Sequence, residues 1–371
     1  MPVVTRRSPA ATRATTTPTT ERKPAIVTSM AACIRWLLLT AGLAIACAAP
    51  AGKSATPAPP VVQPLHRGPL TDFISSASLR WLLLIKPHQV LSEPGLGAAI
   101  LQIIPSARFD AFAESSGVDL RALPRAAIAS FPYSTLYVAE LPSGAAAVAR
   151  ARFGERLLAE AVNKEHHPGL IRLTGVIGQT PETLLTVDDR LLAISVGDPV
   201  PAKIAAAYAE GRLKHSPPAL RGAALSALPE LASSNAAVLF APGPFADEWQ
   251  RAAGGLLQST VALAITAQPI GDDKVATAIY LTGAWQDSAD AAAVRLSAAW
   301  TTFARSSAGR LFELNESAEV SASPDLLVLS VKLELAALVR GLRASVLGDL
   351  SQILNLPRKS APEKARPAAP H

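Results

Sequence analysis

The densest grouping of side chains able to ligate a metal or move a proton is Glu165-His166-His167, with His88 and His215 as further imidazoles far off in the chain. Adjacent residues diverge in direction, and the triplet precedes Pro168-Gly169. It therefore reads as a polar helix end with imidazoles near the negative pole of the helix dipole. A metal centre would need more ligands than this triplet can aim at one point, so neither a metal nor a cofactor is assigned. Asp188-Asp189 and Asp272-Asp273 are carboxylate pairs of the kind that could act as acid and base. Both occupy expected hairpin turns, where short acids hydrogen-bond the turn backbone. Gly52-Lys53-Ser54 has the ending of a phosphate loop, but Cys47 stands where the first glycine is required, and Gly95-Leu96-Gly97 is followed by Ile100 where a dinucleotide fingerprint has its third. G-x-S-x-G, S-x-x-K and H-E-x-x-H do not occur. No catalytic residue is assigned.

Large aromatics offer a second kind of chemistry. Trp249, Trp285 and Trp300, with Phe245 and Phe303, could line a cleft for an apolar or sugar ligand. In a chain with only 5% aromatic residues they read instead as core residues that fill gaps among alanines.

Composition bounds the function classes. The chain has 371 residues, 49% of them hydrophobic, with two cysteines. That length accommodates two ordinary domains with a sizeable core and excludes disorder throughout. The cysteine count excludes a disulfide scaffold and a cysteine-ligated zinc domain. The formal charge of +6 is a property of the ends. Residues 1–29 carry a net +4 and the tail from Pro357 a net +3, whereas residues 36–356 carry a net −2. A nucleic-acid surface needs a basic face that neutralises several phosphates together. Interleaved charges such as Arg150, Arg152, Glu155, Arg156 and Glu160 do not form one, so no nucleic-acid partner is expected.

At the amino terminus, Arg35 precedes an uncharged apolar run from Trp36 to Ala46 that ends at Cys47. The run is short for a membrane span and suits the core of an export signal. Leu43-Ala44-Ile45-Ala46-Cys47 resembles the lipobox of bacterial lipoproteins. That resemblance implies cleavage before Cys47, a diacylglycerol on its sulfur and acyl anchoring in a membrane. Ala48 lacks the acid that retains some members of that class at the inner membrane, so the resemblance places the anchor in the outer membrane, facing the periplasm or the surface. Ala44-Ile45-Ala46 equally fits ordinary secretory cleavage, which would leave a periplasmic or secreted protein. On this reading residues 1–29 are a disordered extension or a misassigned start, 30–46 the signal peptide and 47–69 a Pro/Ala-rich tether. Cys33 leaves with the signal peptide.

The body reads as two similar α+β modules, residues 70–215 and 234–356, joined by a linker at 216–233 and followed by a disordered basic tail at 357–371. Each is expected to hold mostly antiparallel sheets with helices packed on one face. Leu79–Ile85 predicts a strand buried on both faces, closed by Lys86-Pro87. A helix is expected from Gln89 to Ile104 and further turns over Asp110–Ser115. Strands follow at Ser134–Glu140, Leu170–Ile177, Thr183–Val187 and Leu191–Val196. A helix over Ala145–Val162, capped by Ser143, should bury Val148, Leu157, Leu158, Ala161 and Val162. In the second half, strands are expected at Ala236–Ala241, Ser259–Ala267, Lys274–Thr282, Arg310–Ser321 and Leu326–Leu333. Helices are expected at Phe245–Gln258, Ser288–Ser306 and Glu334–Leu354, the last with a stripe that includes Leu335, Val339, Leu350 and Ile353. Both halves then read β-α-β-α-β-β-α, with an extra strand pairing in the second. In outline this order resembles uncharacterised bacterial envelope lipoproteins with duplicated α+β modules, a likeness that implies no functional residue.

The expectation is a lipid-anchored envelope protein that binds or scaffolds without catalysis. Its partners would be the membrane, through Cys47, and an envelope protein or a small apolar ligand. The alternative is an envelope hydrolase whose site is assembled between the two modules from His88, His166, His167 or paired acids.

Overall fold

The computed structural model describes residues 63–158, 167–213 and 216–346. Cys47, the 1–29 extension, the 30–46 leader, the tether as far as Val62, the 357–371 tail, and Ala161, Val162, Glu165, His166, His215, Leu350 and Ile353 lie outside the described residues.

After a 3-10 turn at Leu70–Phe73 comes β1 (Trp81–Ile85), followed by α1 (Pro87–Ser92), α2 (Pro94–Ile103) and α3 (Ser106–Ser116). Pro94 divides the helix expected from Gln89: Glu93 before it takes an extended ψ of 121°, as the residue preceding proline must avoid helical dihedrals. Gly117, at φ 75°, ends α3 in the left-handed region. Next come β2 (Ala126–Phe131), β3 (Ser134–Glu140), α4 (Ala145–Arg156), β4 (Leu170–Ile177), β5 (Thr180–Val187), β6 (Leu191–Gly197) and α5 (Val200–Ala209). The second half holds α6 (Leu231–Ser234), β7 (Ala237–Pro242), α7 (Asp247–Ala252), β8 (Thr260–Ile270), β9 (Lys274–Gly283), α8 (Ala289–Arg305), α9 (Ser307–Leu311), β10 (Glu319–Ala322), β11 (Leu326–Glu334) and α10 (Leu335–Val346).

The eleven strands among the described residues join one sheet in the order β10-β11-β9-β8-β7-β1-β2-β3-β6-β5-β4, and every neighbouring pair is antiparallel. The fold is therefore mixed α+β, with a single sheet in place of the expected separate ones. The two halves meet at its centre, where β1 pairs with β7 in the register Leu82↔Phe240. The additional strand, β4, belongs to the first half, contrary to the expectation.

Helices pack on both faces, which corrects the one-face expectation. On one face, α5 lays Ala202, Ala205, Ala206 and Ala209 against the sheet, all at most 1% exposed. Alanine side chains let the helix backbone approach the sheet closely. Leu82 and Phe240, both fully buried, lie in the same core, which spans both halves. On the opposite face, α4 packs Ala146, Ala149 and Phe153 against Leu184 and Leu192. There α8 packs Leu296 and Trp300 against Leu281 and Leu327, and α10 packs Leu335 and Val339 against Ala99 and Val275. The α4 stripe differs from the expected one: Val148 is 50% and Leu158 73% exposed. The helix is preceded by Gly144 rather than capped by Ser143, and it ends at Arg156, while Leu157 just beyond it packs against the same core as Phe153.

One residue from each strand forms an apolar row across that opposite face. Its middle members are Tyr137, Ile128, Leu83, Leu239 and Ile265, in register from β3 to β8. These five are half-buried and contribute to none of the four core clusters. Accordingly β1 is fully buried only at Leu82, and Trp81 is 37% exposed. A buried parallel strand reads as a continuous apolar run. Here the same pattern marks a strand with one covered face and one partly open face.

Candidate functional site

A concavity lies on the α5 side of the sheet, where the end of β1 and the starts of β2 and β7 meet the covering segments 69–72 and 220–236. It is a cleft of about 670 Å³, within the range of small-molecule sites. Leu70, Leu84, Leu220 and Val238 line it with aliphatic surface, and among the described residues no aromatic ring takes part. Its charged lining residues are Asp72, Lys86, Arg125 and Arg221.

Each charged group is placed by the fold. Asp72 sits in the first 3-10 turn and is 4% exposed. Its Oδ2 accepts from His66 Nε2 at 2.9 Å and from Arg221 Nη2 at 3.0 Å, so the one carboxylate of the lining is already matched. Burial of an unmatched carboxylate would cost several kcal/mol, which explains why two donors converge on it. Gly68 makes room for this arrangement, since a Cβ there would collide with both His66 Nε2 and Asp72 Oδ2.

Lys86 and Arg125 are placed by strand register. Ile85 pairs with Ala126 at the end of the β1–β2 ladder, and the next residues outward, Lys86 and Arg125, both reach the cleft lining. The Lys86 amide donates to the Ala236 carbonyl at 3.0 Å and its Nζ to the Ser233 carbonyl at 2.7 Å. The Arg125 guanidinium has no hydrogen-bond or ion-pair partner among the described residues. Glu140, which donates its amide to the Arg125 carbonyl at 3.0 Å, has its carboxylate turned to Arg190 at 3.4 Å.

The residues singled out from the sequence go elsewhere. His88 Nδ1 lies 3.2 Å from the Arg121 carbonyl. His167 Nε2 donates to the Gln63 carbonyl at 3.1 Å, and its Nδ1 accepts from Gly169. The Asp188-Asp189 pair forms the expected turn, with Asp188 beside Arg67 at 3.3 Å and Asp189 accepting from the Gly144 amide at 2.6 Å. Asp272 and Asp273 form the β8–β9 turn, where the Asp273 carbonyl accepts from the Leu335 amide. Among the described residues no three His, Cys, Asp or Glu side chains group closely enough to hold a metal ion. Trp285 and Trp300 are packed in the core at 5% and 8% exposure, whereas Trp249 is 62% exposed. The three tryptophans thus line no common cleft.

Two further groups have perturbed acidities. Hydrogen bonds from the Arg121 side chain hold the Asp119 carboxyl below the usual carboxylate range. Burial, and next the Glu182 charge, push the Tyr137 hydroxyl upward. Neither lines the cleft.

Sequence reasoning missed the cleft residues. Lys86-Pro87 was legible as a strand end, but its juxtaposition with Arg125 depends on a pairing between segments separated by three helices. The chain matches no protein-family profile, no curated protein and no solved structure.

Proposed function

We propose that this chain is a cell-envelope protein, held to the outer membrane by acylation at Cys47, that acts by binding a ligand rather than by catalysis. The observation that carries the reading is the cleft. It combines an aliphatic floor with a few fixed polar groups, the usual make-up of a binding site. His88 and His167, by contrast, are engaged by backbone groups outside it. The leader, the lipobox-like Leu43–Cys47 and the Pro/Ala-rich tether support the membrane attachment. We further read the two halves as similar modules. The order strand, helix, two strands, helix recurs in each, and β1 and β7 occupy equivalent central places.

The attachment is tested by Cys47→Ala in cells labelled with a palmitate analogue. The wild-type chain should take up label and sediment with the outer membrane, and the variant should lose label and become soluble. Unchanged labelling and fractionation would discard the anchor and leave the secretory alternative.

A further inference from the structure

We propose that the cleft takes a single-chain amphiphile with an anionic carboxylate or phosphate head, the head held between Lys86 and Arg125 and the chain laid on Leu70, Leu84, Leu220 and Val238. The inference rests on the reading of the cleft as a ligand site and names its ligand class.

The electrostatic part follows from which charges are already matched. Of the three cations on the lining, Arg221 is committed to Asp72 at 3.0 Å. Lys86 and Arg125 remain, and they occupy the next positions beyond the last pair of the β1–β2 ladder, Ile85↔Ala126, both on the cleft lining. Like charges so placed repel. Among the described residues the Lys86 ammonium has one partner, the neutral backbone carbonyl of Ser233, and the Arg125 guanidinium has none. An anion between the two would replace a repulsion with two charge-assisted hydrogen bonds. A cation or a neutral polar ligand would leave the repulsion in place.

The apolar part follows from the rest of the lining. The four aliphatic side chains continue the core of the α5 face, and Leu70, Leu220 and Val238 are themselves core members. Among the described residues no aromatic side chain joins the lining, so the stacking partners that a flat ring would use are not supplied there, whereas a methylene chain needs only aliphatic contact. Each methylene buried there adds a small increment, so affinity should grow with chain length up to the capacity of the cleft.

The test uses the full chain carrying Cys47→Ala, purified without detergent, in calorimetric titrations with dodecanoate, dodecyl phosphate, dodecanol and inorganic phosphate. The two anionic amphiphiles should bind saturably at one site, with dodecanol and inorganic phosphate each at least about tenfold weaker. The double variant Lys86→Gln/Arg125→Gln should bring the anionic amphiphiles down to the level of dodecanol. Added salt should weaken them in the parent but little in the double variant. Ser226→Trp, placed on the exposed rim, should block every amphiphile, with its thermal melt checked against the parent.

Dodecanol binding as tightly as dodecanoate, or a double variant with undiminished affinity, would overturn the anionic head and leave the cleft as a ligand site. Inorganic phosphate binding as tightly as dodecyl phosphate would mean a free-anion site and overturn the chain. Undiminished binding in a folded Ser226→Trp variant, or failure of every amphiphile, would overturn both the inference and the reading of the cleft.

Discussion

The carboxylate of Asp72 accepts a hydrogen bond from Arg221 at 3.0 Å across a separation of 149 residues. One partner lies before β1 and the other between α5 and α6. The bond therefore ties together the two segments that roof the cleft. Arg221→Gln leaves a carboxylate of 4% exposure with His66 as its remaining donor, and should cost about 1–3 kcal/mol in urea denaturation. Gly68→Ala should cost a similar amount by forcing His66 from Asp72. Combined with His66→Ala, its effect should fall well short of the sum, because both changes remove one contact.

Phe240 and Leu82 face each other across the β1–β7 pair, both fully buried in a core that draws on both halves. The folded body should consequently unfold as one unit. Denaturation followed by far-ultraviolet circular dichroism and by tryptophan fluorescence should give coincident single transitions. Phe240→Ala should lower stability by about 3–5 kcal/mol and shift both probes together; two separated transitions would show independent halves.

Trp300 and Trp249 should behave in opposite ways. Trp300 is 8% exposed and donates its Nε1 hydrogen to the Asn315 carbonyl at 2.9 Å. Trp300→Ala should cost about 3–5 kcal/mol, by loss of packing and of that bond. Trp249, at 62% exposure, should tolerate alanine within about 0.5 kcal/mol. Equal losses at the two positions would contradict the packing described.

Tyr137 supplies a pH test. Burial, reinforced by the Glu182 charge, raises its folded pKa above the usual tyrosine value. The neutral phenol is thus favoured in the native state. The contribution is fully present below the unfolded tyrosine range and is lost as pH rises through the folded value. Stability measured by urea denaturation at increasing alkaline pH should fall more steeply in the parent than in Tyr137→Phe, with the two curves parallel at neutral pH. Identical alkaline slopes would show that the phenol does not sense its surroundings.

Much of the local structure was readable in the chain because local patterns cause it. The Ser134–Glu140 strand, the Asp188–Arg190 turn and the Lys274 strand start follow from alternation and turn chemistry. Errors arose where tertiary contacts decide. An apolar run at Trp81–Ile85 is compatible with burial on both faces or with one open face, and only the placement of the neighbouring helices distinguishes them. The region Arg310–Ser321 reads as one strand, yet Ser306 caps the short helix Ser307–Leu311, with its side chain accepting from the Gly309 amide at 3.1 Å. Strand pairing is confined to Glu319–Ala322.

The sequence by itself determined the α+β class, the near-neutral body between basic ends, and the small-residue composition that brings α5 close against the sheet. These depend on residue types and near-neighbour spacing, which the chain carries directly. The tertiary structure alone decided that the eleven described strands share one sheet, that helices cover both faces, and that Lys86 and Arg125 line one cleft. Those facts depend on which distant segments pair and in what register, and pairing is selected by the joint burial of many side chains that no single segment specifies.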